Sequence, residues 1–372
     1  MKAVRILSAI VMALAWAAPC AAADARDVPA TTRQIQMVKG SDGTYTWRMA
    51  QAPVPAVGDH QVLIHVRAVS IQRGDLELTE MMSEVFGNSV DRTGQVGGSD
   101  AAGDVVQVGR LVHSFRPGQK VVSLFFVDYV DSPLTADKLQ NSHGWTTNGV
   151  FGDYVVLEET GIAPMPEWMS YEEAATLPSS ALTGWAATGA HGYVRKGDTV
   201  LVEGTGGVST FTLQFATALG ARVIVTSSSD DKLARAQALG AKEGINYKKV
   251  PEWSARVLEL TGGRGADVVM DIGGRSTIEQ STKSVAYEGT LALIGGLGGY
   301  DASVSSYALI SRGITARGVI AGSRADFMRM CKFMEQHRIR PVIERTYPFD
   351  DFEQAMSDLK AGNFVGKLVL RL

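Results

Sequence analysis

Two hydrophobic patterns divide the chain into a β-rich part and an alternating part. From 31 to 159, short apolar or alternating runs such as VLIHVRAVSI at 62–71 and GDYVVLEE at 152–159 are separated by glycine and proline, which is typical of β-strands. From Thr199 onward, apolar strands alternate with segments whose apolar residues recur every three or four positions. The second pattern predicts a parallel, doubly wound sheet, so the expected fold class is α/β.

The alternation also predicts individual elements of the second part. A helix at 208–219 follows a strand at 199–203, and Ser229 caps a helix that ends at Leu239. The polar segment 128–149 has little periodicity and is predicted to be a long loop. Further strands are predicted at 222–226, 267–272, 290–294, 315–320, 342–347 and 367–372, and further helices at 253–260, 278–285 and 324–337.

The glycine-rich stretch GTGGVS lies between the first strand and first helix of the alternating part. Gly204 permits a tight turn, and Gly206 and Gly207 let the backbone approach a pyrophosphate. The helix that begins near Val208 then presents unpaired N–H groups to the phosphates. Ser209 replaces the third glycine of the usual fingerprint, and serine is small enough to keep helix and strand close. The stretch predicts a dinucleotide site; the alternative is a glycine-rich turn without a ligand.

The end of the next strand bears on the choice of cofactor. No acidic residue stands there to bind the ribose 2′-hydroxyl of NAD(H), since Asp230 and Asp231 come only in the following helix. Ser227, Ser228 and Lys232 instead suit a 2′-phosphate, although Lys232 could also be a solvated surface charge. The sequence therefore favours NADP(H) over NAD(H).

Composition and the first residues bear on partners and location. The chain has 372 residues and a net charge of −3, and no run of lysine and arginine indicates a nucleic-acid partner.

Residues 1–23 have two early cations, an apolar run too short to span a bilayer and a small-residue end. This layout predicts a secretory signal peptide and an exported or periplasmic protein. A misassigned start codon, giving a cytoplasmic protein, or a retained anchor is the alternative. After cleavage Cys331 alone remains, predicted to be a buried thiol.

Several ordered motifs now point to a family. They are AVSIQRGDL at 68–76, GGSDAAGDVVQVG at 97–109, FRPGQKVV at 115–122, EEAATLPSSALTGW at 172–185, KGDTVLVEGTGGVS at 196–209 and GKLVL at 366–370. With them the chain resembles the medium-chain dehydrogenase/reductase superfamily, in its zinc-independent, quinone-oxidoreductase-like or alcohol-dehydrogenase-like branch.

The resemblance implies a domain arrangement and several site residues. It implies a GroES-like catalytic domain at 31–160, completed by 340–372, and a Rossmann domain at 161–339. It also implies that Thr183 lies near the nicotinamide and Tyr247 beside the adenosine phosphate. A homodimer through the edge strand near 314–319 is a further implication.

The places where zinc-using relatives carry metal ligands hold other residues in this chain. Relatives place a cysteine, a His-Glu pair and a second cysteine at the positions of Gln72, Ser99–Asp100 and approximately Ser179. None of these supplies a thiolate or an imidazole, which are the ligands that zinc sites use together with carboxylates. The expectation is chemistry without zinc.

Hydrogen-bond donors must then stabilise the charge that develops on the substrate oxygen. Gln72 and Arg73 occupy the family's substrate-facing stretch and are the candidate catalytic residues, whereas related metal-free reductases often have Asn-Tyr there. The alternatives are that Arg73 pairs with Asp75 or points to solvent. Asp75 is interpreted as fixing the turn, and Met81 and Met82 as core residues or as part of the pocket.

The leading functional hypothesis is an NADPH-dependent, metal-free oxidoreductase that transfers hydride to a quinone or an α,β-unsaturated carbonyl. One alternative is a metal-free NAD(P)-dependent dehydrogenase of alcohols or carbonyls. Another is a non-catalytic NADPH-binding protein, which the unusual Gln72–Arg73 pair motivates.

Overall fold

The computed structural model describes residues 28–80, 91–190 and 193–372. The predicted signal peptide, Met81 and Met82 lie outside the described residues. Among the described residues, no helix is both long enough and apolar enough to cross a bilayer.

A seven-stranded sheet brings the two ends of the chain together. Its strand order is β14-β15-β3-β4-β5-β7, with β6 also paired to β3, and an antiparallel hairpin of β1 and β2 lies beside it. The strand β15, close to the C-terminus, pairs antiparallel with β3. These strands are β1 (Thr31–Lys39), β2 (Tyr45–Pro53), β3 (Gln61–Ile71), β4 (Asp100–Val108), β5 (Lys120–Ser123), β6 (Tyr154–Glu158), β7 (Ile162–Pro164), β14 (Ile343–Pro348) and β15 (Lys367–Arg371).

The second sheet has six strands, all parallel, in the order β10-β9-β8-β11-β12-β13. The chain runs outward from β8 to β10 and then returns to build β11 to β13 on the other side. The topological switch point therefore lies between β8 and β11, where open α/β sheets bind their ligands. The strands are β8 (Thr199–Glu203), β9 (Arg222–Ser227), β10 (Glu243–Asn246), β11 (Ala266–Asp271), β12 (Val285–Leu293) and β13 (Thr315–Gly318).

Helices cover this sheet and connect it to the first one. The described helices are α1 (Arg73–Glu80), α2 (Tyr171–Ala174), α3 (Leu182–Thr188), α4 (Gly207–Ala218), α5 (Asp230–Ala238), α6 (Trp253–Leu260), α7 (Ile278–Ser284), α8 (Ser306–Arg312), α9 (Arg324–His337) and α10 (Phe352–Ala361). A π-helical turn, Leu177–Ala181, joins α2 to α3. Short 3-10 turns occur at Asp137–Leu139, Glu159–Gly161, Gly274–Ser276 and Phe349–Asp351.

The predicted fold class is confirmed, and most predicted elements of the parallel sheet are present. The bounds of α6 and α9 match the predicted helices, and Ser229 caps α5 by accepting from Lys232 N. The largest differences at strand boundaries are that β12 begins at Val285 rather than Thr290 and that β13 ends at Gly318 rather than at 320, and other boundaries differ by one residue. The β-rich part also contains the helix α1, which was not predicted because strand patterns predominate in this part of the chain.

One apolar cluster ties the two sheets together. It joins Ala102 and Val369 of the first sheet to Phe211 and Phe215 of α4. Cys331 of α9 belongs to the same cluster, as predicted for a buried thiol, and burial raises its pKa to about 12. Because this cluster is continuous, the glycine-rich loop before α4 is held against the strands of the first sheet.

Candidate active site

The glycine-rich loop sits at the carboxyl edge of the parallel sheet. Gly204 follows β8 with φ +74°, a left-handed conformation that favours glycine. At Gly206, an added Cβ would meet no atom within 4 Å, so this backbone lies open. The helix α4 starts at Gly207, and its first N–H groups, including that of Val208, lack partners within the helix. The loop therefore has the backbone geometry that a pyrophosphate requires.

Ser209 has a specific place in this loop. Its buried hydroxyl donates to the carbonyl oxygen of Glu203, the last residue of β8, over 2.7 Å. This hydrogen bond connects the first turn of α4 to the preceding strand. The glycine usual at this position would permit close packing but could not form the bond.

The last strand of the first sheet passes directly beside the loop. Gly366 N donates to Thr205 O over 2.9 Å. A Cβ added to Gly207 would lie 2.4 Å from Lys367 Cδ and 2.8 Å from Ser180 Oγ. The absence of a side chain at Gly207 therefore permits the close approach of α4 to Lys367 and Ser180.

The residues predicted to bind a 2′-phosphate divide into two groups. Ser227 is buried, with its hydroxyl 3.2 Å from that of Thr205, so it faces the loop. Ser228 is partly buried, and Tyr247 is 41% exposed beyond β10, where its N–H donates to Ser227 O. Ser228 and Tyr247 thus lie at the adjacent ends of β9 and β10, near the surface.

Lys232 lies at the same corner. Its Nζ donates to Gly362 O over 2.6 Å, and its pKa is lowered by burial and by the neighbouring charge of Lys248. Asp230 accepts hydrogen bonds from Asn246 and Lys249. The corner thus brings together two lysines whose charges disfavour each other.

Thr183 lies in the first turn of α3 and is partly buried. The helix α3 follows the π-helical turn that carries Ser179 and Ser180. This turn places Ser179 among residues of the first sheet and Ser180 against Gly207. Sequence patterns did not predict this helical turn.

A hydrogen-bond network joins the residues at the positions for which the family resemblance implied zinc ligands in zinc-using members. Gln72 Nε2 donates to Ser99 Oγ over 2.7 Å, and Ser99 Oγ donates to Asp100 Oδ1 over 2.7 Å. Ser179 Oγ donates to the same Asp100 oxygen over 2.5 Å. Asp100 Oδ2 has no hydrogen-bond partner among the described residues. The structure therefore brings Gln72, Ser99, Asp100 and Ser179 into contact.

These residues do not fit a zinc ion. Zinc sites use thiolate, imidazole and carboxylate ligands, and of these four residues only Asp100 supplies one, while Gln72, Ser99 and Ser179 offer an amide and two hydroxyl groups. In the described part of the chain, no group of three or more His, Cys, Asp or Glu residues could hold a metal ion.

A buried lysine lies next to this network. Lys367 Nζ donates to Ile71 O over 2.9 Å, and burial lowers its pKa while the charges of Asp100 and Asp75 act in the opposite direction. Burial raises the pKa of Asp100, and it raises that of Asp75 to about 7. Asp75 Oδ2 accepts from Gln72 N over 2.8 Å and so fixes the turn before α1.

Arg73 is placed differently from Gln72. Its Nε lies 3.5 Å from Glu77 Oε1, one helical turn further along α1. Tyr300, in the loop after β12, donates to Glu77 Oε2 over 3.2 Å. Arg73 and Tyr300 thus both contact Glu77, which links α1 to the loop after β12.

Sequence reasoning missed a pair of buried carboxyl groups. Glu203 and Asp271 end the neighbouring strands β8 and β11, and both contact the hydroxyl of Ser281. Burial and the charge of Asp271 raise the pKa of Glu203 to about 7. The only signal in the sequence was an acidic residue at the end of each of two buried strands. That these two strands are neighbours could be known only from the order of strands in the sheet.

The fold and the loop define a class of dinucleotide-dependent oxidoreductases in which a GroES-like domain accompanies a parallel cofactor-binding sheet. Residues 58–167 match the family model of the alcohol dehydrogenase GroES-like domain, and residues 207–336 match that of zinc-binding dehydrogenases. The chain belongs to the medium-chain dehydrogenase/reductase superfamily and is an NAD(P)-dependent oxidoreductase of that type.

Similar proteins span nearly the whole chain. A zinc-type alcohol dehydrogenase-like protein of Schizosaccharomyces pombe is 37% identical over 84% of this chain and 91% of its own length. An acryloyl-coenzyme A reductase of Metallosphaera sedula is 28% identical over 90% of this chain and 98% of its own. A structure provisionally described as an alcohol dehydrogenase from Sinorhizobium meliloti is 35% identical, with a TM-score of 0.85, and covers 93% of this chain and 100% of its own.

Proposed function

We propose that this protein is an NADPH-dependent reductase that transfers hydride, without a metal, to a quinone or an α,β-unsaturated carbonyl compound. The observation that carries the proposal is the hydrogen-bond network of Gln72, Ser99, Asp100 and Ser179, which offers donors where zinc-using relatives hold a Lewis acid. A bound NADPH would supply the hydride from its nicotinamide ring.

The network determines which end of the Gln72 amide is held. Asp100 Oδ1 accepts from both Ser99 and Ser179, so the single proton of the Ser99 hydroxyl is already used. Ser99 can therefore only accept from Gln72, and the group it binds must be the NH2 group. The second N–H of that group is then fixed in orientation. A donor that stabilises negative charge on a substrate oxygen needs such a fixed orientation.

A conjugated acceptor suits such a site. Hydride addition to the β-carbon moves negative charge to the carbonyl oxygen, where a hydrogen-bond donor stabilises it. The reaction then takes up one proton at the α-carbon from solvent, which gives the saturated carbonyl compound and NADP+. The similarity to acryloyl-coenzyme A reductase supports this class of acceptor.

The choice of NADPH is supported by the corner formed by Ser228, Lys232, Tyr247 and Lys248. An ammonium group has three donors, so the bond from Lys232 to Gly362 leaves two for a phosphate. A 2′-phosphate between Lys232 and Lys248 would also relieve the unfavourable interaction of their charges. No carboxylate occupies the end of β9 to receive a ribose hydroxyl.

The test is NADPH oxidation, followed by absorbance, with a matched panel of acceptors: a quinone, an enone, an enoyl thioester, the corresponding saturated aldehyde, and simple alcohols with NADP+. Turnover of the conjugated acceptors with no turnover of saturated aldehydes or alcohols supports the proposal. Turnover of alcohols alone would establish the second candidate, a metal-free alcohol or carbonyl dehydrogenase, which the names of the S. pombe and S. meliloti proteins favour. Tight NADPH binding with no hydride loss to any acceptor would identify a non-catalytic NADPH-binding protein.

We also propose export to the periplasm or beyond, from residues 1–23 alone. Exported compartments hold little NADPH, so the cofactor would have to be loaded before export. Sequencing the N-terminus of the mature protein, together with cell fractionation, tests this: an intact leader in the cytoplasmic fraction would overturn it.

A further inference from the structure

Two buried carboxyl groups flank the switch point of the parallel sheet. Glu203 ends β8 and Asp271 ends β11, and these strands are neighbours although they are far apart in sequence. Glu203 is 5% exposed and Asp271 is 1% exposed. They therefore lie directly beneath the crevice in which a dinucleotide binds to this fold.

The hydrogen bonds between these groups require an additional proton. Ser281 Oγ lies 2.6 Å from Asp271 Oδ2 and also within hydrogen-bond distance of Glu203 Oε1. A hydroxyl has one proton and can donate it to only one of the two oxygens. The other contact is a hydrogen bond only if the carboxyl group itself holds a proton.

The remaining contacts indicate which group is protonated. Apart from Ser281, each carboxyl group has two donors, but at Asp271 they are divided between the oxygens, with Gly274 N donating to Oδ1 and Thr277 Oγ1 to Oδ2, both over 2.9 Å. The oxygen of Glu203 that faces Ser281 has no other donor, and its second oxygen accepts from two backbone N–H groups. The proton therefore resides on Glu203 Oε1 and is donated to Ser281, whose own proton goes to Asp271.

We infer that Glu203 and Asp271 share one proton through Ser281, and that this pair positions the loop 272–274 at the nicotinamide side of the cofactor crevice. The N–H groups of Ile272 and Gly273 donate to Glu203, at 3.0 and 3.2 Å, and that of Gly274 donates to Asp271. Three successive backbone groups are thus held by the two carboxyl groups.

The loop 272–274 in turn accepts hydrogen bonds from the segment that follows β12. Leu297 N donates to Ile272 O over 3.2 Å, and Gly298 N donates to Gly273 O over 2.8 Å. The next turn of chain carries Tyr300, which reaches Glu77 across the cleft. The arrangement of the crevice therefore depends on the pair holding one negative charge rather than two, because two adjacent buried carboxylates repel each other. This inference does not depend on which acceptor is reduced.

Infrared spectroscopy on the native full-length protein tests the shared proton without a mutation. Of the described glutamates, only Glu203 is buried, so labelling glutamate with carbon-13 should shift a protonated-carboxyl C=O band at neutral pH. A spectrum in which no such band shifts would overturn the inference.

Variants test the positioning role through the dissociation constant of NADPH, measured by fluorescence. The coupling between such an element and a ligand site is typically about 5- to 150-fold in affinity, so Ser281→Ala and Glu203→Ala should weaken NADPH binding by about tenfold. Glu203→Gln should restore most of the affinity lost in Glu203→Ala, because its NH2 group can donate to Ser281 as the protonated carboxyl does.

The matched control is Ser284→Ala, on the same helix α7. The Ser284 hydroxyl is equally buried but bonds within its own helix, to Gln280 O. NADPH affinity should be unchanged in this control. Equal losses in Glu203→Gln and Glu203→Ala, or equal losses in Ser281→Ala and Ser284→Ala, would show that the pair has no positioning role.

Discussion

Replacement of Gln72 by leucine separates the catalytic role of its amide from its structural role. Leucine is close in size but has no N–H group, so the 2.7 Å bond to Ser99 and the donor to the substrate oxygen are both removed. The structural loss is one neutral hydrogen bond, about 1 kcal/mol of folding free energy. Loss of one oxyanion donor lowers kcat by about 10²–10³, which is about 2.7–4 kcal/mol.

The two losses are measured independently. Chemical denaturation gives the free energy of unfolding, and steady-state NADPH oxidation with the preferred conjugated acceptor gives kcat. Gln61→Leu is the matched control, because Gln61 begins β3, the strand that Gln72 follows, and its Nε2 donates to Glu158 over 2.8 Å at the opposite end of that strand. The control should lose stability without losing kcat. The reasoning is refuted if Gln72→Leu and Gln61→Leu affect kcat equally.

Three further predictions follow from other parts of the molecule. Lys232→Ala and Lys248→Ala should each raise KM for NADPH by about tenfold and leave KM for NADH unchanged; a parallel change for both cofactors would contradict a 2′-phosphate site. Ser209→Ala should lower the free energy of unfolding by about 1–3 kcal/mol, because the Glu203 carbonyl loses a buried donor, and an unchanged denaturation midpoint would argue against this. Tyr287 and Ile310 are 73% and 79% exposed beside the edge strand β13, so if this face forms a homodimer, Ile310→Glu should convert a dimer to a monomer in light scattering, and a monomeric native protein would exclude the interface.

Local patterns were sufficient to predict much of the parallel sheet. The helix α9 was predicted with its observed bounds because its apolar residues repeat at helical spacing up to His337, and the structure adds that Ser323 caps its first turn. The glycine-rich loop was predicted because its glycines are adjacent in sequence and its flanking strand and helix are strongly patterned.

The candidate site was only partly predictable. The positions of Gln72, Ser99 and Ser179 were identified from the family pattern, but their hydrogen bonds depend on strands and turns far apart in the chain. Lys367 looked like part of a terminal strand, and its burial beside Asp100 follows only from the pairing of β15 with β3. The proton shared by Glu203 and Asp271 likewise depends on the sheet order, which no local pattern encodes.

The central claim is that hydride passes from NADPH to the β-carbon of a conjugated carbonyl compound. The most direct measurement uses NADPH deuterated at nicotinamide C4 with an enoyl thioester such as crotonyl-coenzyme A, followed by mass spectrometry and NMR of the product. The account predicts one deuterium at the β-carbon of the saturated thioester. Absence of this product, together with deuterium at the carbinol carbon when a saturated aldehyde is supplied, would contradict it.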